Sequence, residues 1–294
     1  MRKFIAALRV LLLAGLHSAG LLAADASTQV PSFESFKTAL PYRARWGEYF
    51  VSVEATGDDP RVANRLRISD HAGRVLKEIN AGYIDAVDYP ILNGRGGGEQ
   101  LRVTTAPDNN LLANRRTYCF TRQDRLRNTL IMPCGIDQFR DLNGDGRPEL
   151  LSDNPAPLEY VDGGGLCHAA YPPIYLVLQW NGEHYILANR RFPRVVRAQL
   201  NQKRKLFLEH VQEFQDQQTE GPSWDYLVGD AVGIYADMAS TGQRKQACRW
   251  LLARLPSAFV RKQFLEILPT VKQRLMATPS LVTTDQHRII HAPN

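Results

Sequence analysis

The chain has few cysteines. Cys119, Cys134, Cys167 and Cys248 are its only four in 294 residues, and no two of them form a C-x-x-C pair. That spacing supports neither a thioredoxin-type redox site nor a zinc ribbon. Beyond the first 26 residues no stretch is apolar enough to span a bilayer, which takes about 20 consecutive apolar residues. The net charge is +6, yet there is no long basic run and no interleaving of basic and aromatic residues. Nucleic acid is therefore not an expected partner. Gly94-Arg95-Gly96-Gly97-Gly98 lacks the Lys-Ser/Thr of a phosphate loop and precedes a strand pattern rather than a helix.

What the N-terminus does carry is an export pattern. Arg2 and Lys3 give a positive start, Val10 to Leu16 an apolar centre, and Ala24-Asp25-Ala26 a small-x-small cleavage site. Arg9 and His17 interrupt the apolar run, which leaves it short for a membrane anchor. Residues 1–26 are thus expected to be a signal peptide, and the mature protein to be periplasmic or secreted. Removing Arg2, Lys3, Arg9 and Asp25 lowers the net charge by two. From Arg194 onward there are 14 Lys/Arg against 9 Asp/Glu, a balance that reads as a solvated helical face. Cysteines in an exported chain raise the expectation of disulfides, and three complete pairings remain open. A Cys134–Cys167 bridge would clamp the flanks of an acidic loop lying between them.

Strand patterns dominate the first two thirds. Residues 27–47 read as an exposed lead-in broken by Pro31 and Pro41. Tyr49 to Val53 is rich in strand formers. Three hairpins then follow, 66–69 with 74–77, 118–121 with 129–131, and 175–178 with 184–187. The Asn181-Gly182 turn of the last is the strongest hairpin signal in the chain. After Pro193 the period changes to that of a helix. Val196, Leu200, Phe207, Val211 and Phe214 trace one face, and further helices are predicted over 223–240 and 244–255. A fourth starts behind Ser257 and is expected to kink or end at Pro269, with 271–276 as a continuation. The tail from residue 280 reads as loose.

Residues 141–150, DLNGDGRPEL, carry the most specific chemistry. Calcium takes six to eight oxygen ligands at about 2.3–2.6 Å, most easily supplied from alternate loop positions around a glycine bend. Asp141, Asn143 and Asp145 stand at positions one, three and five, Gly146 at six, the Arg147 carbonyl at seven and Glu149 at nine. Three negative charges brought together are costly without a cation and favourable with one. Position twelve is Ser152 rather than a bidentate Glu, and strand patterns flank the loop, so an EF-hand is disfavoured. The alternative is a tight Asn-Gly-Asp-Gly turn without metal. Fifty residues earlier, Leu92-Asn93-Gly94-Arg95-Gly96 followed by Glu99 repeats the turn without its charges.

This stretch resembles the calcium loop of FG-GAP/VCBS-type repeats, close to D-x-[DN]-G-D-G-x-x-D-[LI], which lies between the strands of a propeller blade. The resemblance implies Ca²⁺ held by Asp141, Asn143, Asp145, the Arg147 carbonyl and Glu149, the last standing where the family has Asp. Gly163-Gly164-Gly165-Leu166-Cys167-His168 is similar to a stretch that follows such loops. The expected fold class is α+β. A β-rich hairpin or partial propeller-like module (48–193) should lead into an all-helical module (194–279), with 280–294 as a tail. The expected function is non-catalytic binding of an envelope protein or polymer, with calcium stiffening the loop. An exported hydrolase and a periplasmic immunity or inhibitor protein are the alternatives. Cys167-His168 as a thiol nucleophile and His287/His291 as a zinc pair are weaker readings.

Overall fold

The computed structural model describes residues 31–34, 37–90, 99–106, 115–122, 125–133, 135–154, 170, 173–216 and 224–281. Among these residues, strands precede helices throughout: β1 (Phe33–Glu34), β2 (Tyr42–Trp46), β3 (Tyr49–Glu54), β4 (Arg65–Ser69), β5 (Val75–Asn80), β6 (Tyr83–Asp88), β7 (Leu101–Ala106), β8 (Arg116–Thr121), β9 (Arg127–Met132), β10 (Gln138–Arg140), β11 (Glu149–Asn154), β12 (Ile174–Trp180) and β13 (Tyr185–Leu187). Four helices follow: α1 (Pro193–Asp216), α2 (Trp224–Ser240), α3 (Arg244–Leu252) and α4 (Ala258–Leu281). The fold is α+β.

The strands form three antiparallel sheets, each built on four strands consecutive in sequence. β2-β3-β4-β5 make one, β6-β7-β8-β9 a second with β1 added on the β6 edge, and β10-β11-β12-β13 a third. The sheets do not close a propeller. All three expected hairpins are present, at β4–β5, β8–β9 and β12–β13, one in each sheet. At the third, Gly182 has φ 111°, a backbone state L side chains rarely adopt. Trp180 pairs in register with Tyr185, and their rings meet edge-on at 5.3 Å. They serve hairpin packing, as expected.

The lead-in is corrected by the structure. Phe33 is fully buried on β1, and β2 alternates buried Tyr42, Ala44 and Trp46 with exposed arginines. Period-2 apolar alternation outweighs the two prolines, because each buried ring offsets the ordering cost of the segment. The Trp46 indole N–H donates to the Glu99 carbonyl at 3.0 Å, tying this strand to the start of β7.

β12 is buried at five consecutive positions, Ile174 to Leu178, because both of its faces are covered. Leu176 and Leu178 face a core shared with α1–α4, while Tyr175 and Val177 meet Leu151 and Val196 on the other side. α2 is buried on nearly its whole circumference and forms the hub of the helical part. It comes so close to the preceding chain that a Cβ on Gly229 would lie 1.9 Å from the Ala170 carbonyl oxygen. α4 runs on through Pro269 to Leu281, so the proline does not end the helix. The carbonyl that Pro269 leaves without its helical donor belongs to Leu265, a residue 47% exposed, where water can replace the bond.

Candidate functional site

The loop 141–148 joins β10 to β11, which pair Arg140 with Glu149 at its neck. Both flanks are strands, as expected from the sequence. Gly144 and Gly146 sit at φ 77° and 81°, turning the chain back on itself twice within three residues. The loop's own amides then converge on its acidic side chains. Asp141 accepts from the Gly144 and Gly146 amides at 2.7 and 2.9 Å, one on each carboxylate oxygen. Asn143 accepts from the Asp145 amide at 3.0 Å and donates its side-chain N–H to the Asp145 carboxylate at 3.0 Å. Asp145 accepts from the Arg147 amide at 2.8 Å.

Glu149 differs from the other two acids. It is 1% exposed and folds back across the neck to accept from the Leu142 amide at 2.8 Å, while Gln179 on β12 donates to its other oxygen at 3.3 Å. Burial pushes its carboxyl above the ordinary range, the Leu142 amide opposes that, and the charge on Asp145 pushes it further up. Among the described residues no lysine, arginine or histidine pairs with Glu149.

The loop therefore brings Asp141, Asn143, Asp145 and Glu149 to one turn. Among the described residues, however, no three acidic, histidine or cysteine side chains converge as a finished metal cage. The donor set is all oxygen and carries three carboxylates, one of them buried without a cation. That chemistry fits a hard divalent ion and no soft one. The charge-poor copy at 92–98, the Gly163–His168 stretch, His287 and His291 lie outside the described residues. So do Cys134 and Cys167, while Cys119 and Cys248 are free thiols.

Two arrangements carried no sequence signal. Lys203 on α1 donates to Asp153 on β11 at 3.0 Å, to Asp237 on α2 at 2.9 Å and to the Pro173 carbonyl at 2.9 Å. The Asp237 side chain is fully buried and also accepts from the Tyr175 amide of β12 at 2.9 Å. Asn189 continues the seam, accepting from the Val177 amide and donating to the Tyr175 carbonyl and the Ser240 hydroxyl. Separately, His210 Nδ1 lies 2.7 Å from Asp230 between α1 and α2, and burial raises the Asp230 carboxyl above its usual range against the opposing pull of His210. Partners 12 to 62 residues apart cannot be paired from a single sequence.

Farther back, Arg102 on β7 clasps Asp88 on β6, reaches the Ile136 carbonyl at 3.2 Å and stacks over the Phe139 ring of β10 at 4.6 Å. This ties the strands around the 91–98 connection to the strand that enters the acidic loop. No protein-family model, no curated protein and no solved structure matches the chain. Among the described residues no helix is long and apolar enough to cross a membrane.

Proposed function

We propose that the chain is an exported, non-catalytic binding protein whose acidic loop is stiffened by Ca²⁺, built on FG-GAP/VCBS-like blades. The observation that carries the reading is Glu149, a buried carboxylate closing a pre-shaped Asp/Asn/Gly loop to which no described residue brings a cation. Asp141, Asn143, Asp145, Glu149 and the Arg147 carbonyl would hold the ion, which would neutralise charge that the loop now balances only with amide hydrogen bonds. The blade reading draws support from topology. The acidic loop joins the first two strands of its four-strand meander, and residues 89–100 join β6 to β7 at the same position in theirs. The partner proposed is an envelope protein or polymer.

The test is a thermal melt of metal-stripped protein with and without millimolar calcium. At a calcium concentration 100 times the dissociation constant, linkage gives about 2.7 kcal/mol of added stability. Magnesium should give far less, and Asp145→Ala should abolish the shift. An unchanged melting temperature at millimolar calcium would overturn the proposal. The His210–Asp230 pair favours the alternative of an exported hydrolase, since a carboxylate that orients an imidazole is a common acid–base device. Ester hydrolysis that disappears in His210→Ala would establish that reading instead.

A further inference from the structure

A cavity of about 640 Å³ opens between the β12–β13 hairpin, the end of α2 and the last turns of α4. That volume lies within the range of roughly 300–1,000 Å³ typical of small-ligand sites. Its wall is aliphatic, with Ile174 and Leu176 from β12 facing Leu275 and Met276 from α4. Among the buried polar side chains of the wall, Asn189 bonds to Tyr175, Val177 and Ser240, Ser240 donates to the Asp237 carbonyl and Thr278 to the Arg274 carbonyl, while the Tyr185 hydroxyl has no partner among the described residues. What remains at the rim is cationic. Among the described residues Arg190 and Arg244 line the cavity as exposed side chains, no Asp or Glu does, and neither arginine forms an ion pair. His184 completes the rim, its Nε2 3.4 Å from the Asn181 side chain.

We propose that this cavity binds an acyl-chain carboxylate, with the chain against the Ile174–Leu176–Leu275–Met276 wall and the acid head between Arg190 and Arg244. The geometry separates the two halves of such a ligand. A wall of aliphatic side chains gains from burying apolar surface, and two guanidiniums without an ion pair among the described residues offer bidentate partners to a carboxylate. A neutral lipid would leave the arginines without a partner, and a small hydrophilic anion would leave the wall wet. The site is independent of calcium, because none of the acidic-loop residues lines it.

The experiment is calorimetric titration of the full chain with dodecanoate below its micelle concentration, in chelator. The expected result is saturable one-to-one binding, with dodecanol and acetate each at least tenfold weaker. The charge reversal Arg190→Glu/Arg244→Glu should weaken dodecanoate at least tenfold with an unchanged far-ultraviolet spectrum, since both side chains are on exposed residues. Met276→Glu, at a residue 64% exposed, should do the same from the opposite wall. Co-sedimentation with phosphatidylglycerol vesicles separates a membrane-borne source from a free acid, and the free acid alone should bind. Absent or non-saturable dodecanoate binding overturns the proposal. So does equal binding of dodecanol, insensitivity to both variants, or binding to vesicles only.

Discussion

Two acidic clusters in this molecule are handled in opposite ways. At the seam between strands and helices, Asp153 and Asp237 meet Lys203, and the chain supplies its own cation from α1. At the β10–β11 loop, Asp141, Asp145 and Glu149 are met only by amides, and no side-chain cation reaches Glu149 among the described residues. The first cluster is complete, so it can serve as a fixed joint holding β11, β12, α1 and α2 together. The second receives no side-chain cation from the described residues, and under the proposed reading a calcium ion from solution would supply the missing charge. The fold thus neutralises one acidic cluster with a lysine of its own and leaves the other to backbone and side-chain amides.

The contrast is tested most severely at Lys203. Removing one partner of a buried pair leaves an uncompensated charge, so Lys203→Met should cost about 3–5 kcal/mol in urea unfolding. Lys203→Met/Asp237→Asn should recover much of that loss, because Asn can still accept from the Tyr175 amide. A loss below about 1 kcal/mol for the single variant would mean that the seam is not held by its charges. The same seam is also close-packed. Gly229→Ala must displace the Ala170 carbonyl or α2 itself and should cost about 1–3 kcal/mol, with no change in calcium response.

At the loop the expected sign is reversed. Burial holds the Glu149 carboxyl above its unfolded value, so folding favours the protonated form. The resulting stabilisation is fully present below the unfolded pKa of about 4.3 and is lost as pH rises through the folded value. In chelator at pH 7, Glu149→Gln should therefore match the parent or exceed it by up to about 1 kcal/mol, with a flatter pH profile. It should also lose any calcium-induced shift. A variant less stable than the parent under those conditions would break the comparison. The smallest effect is one of rate. Cys119 is fully buried with its thiol pushed up to about 12 by burial, whereas Cys248 is only half-buried. Mass spectrometry after iodoacetamide treatment of native protein at pH 8 should find Cys248 modified first.

Features carried by short-range chemistry were legible in the sequence. Asn181-Gly182 dictates its turn through backbone conformation alone, the helical periods after Pro193 mark α1 to α3, and the alternating acids mark the β10–β11 loop. β2 is hard to read in the sequence because it has only five residues and begins directly after Pro41, so the Tyr42-Ala44-Trp46 alternation spans only three apolar positions. Pro269 misled because a proline ends a helix only where its missing bond is costly, and Leu265 is wet. Lys203 with Asp237, and the two rim arginines of the cavity, meet only once sheets and helices have packed. Nothing local to either residue encodes such a meeting.

The serial order of the sheets has a kinetic consequence. Among the described residues every strand pairing joins neighbours along the chain except one, since β1 reaches past an entire meander to pair with β6. Each four-strand unit pairs only successive strands, and its longest connection, residues 155–173 between β11 and β12, has 19 residues, so it can close once its own residues are free, which favours stepwise folding of a chain that emerges from its N-terminus. The β1–β6 contact must wait, and it carries only two register pairs. Hydrogen exchange should find that edge opening before the other pairings of the described strands, so the pairing that forms last is also the one that parts first.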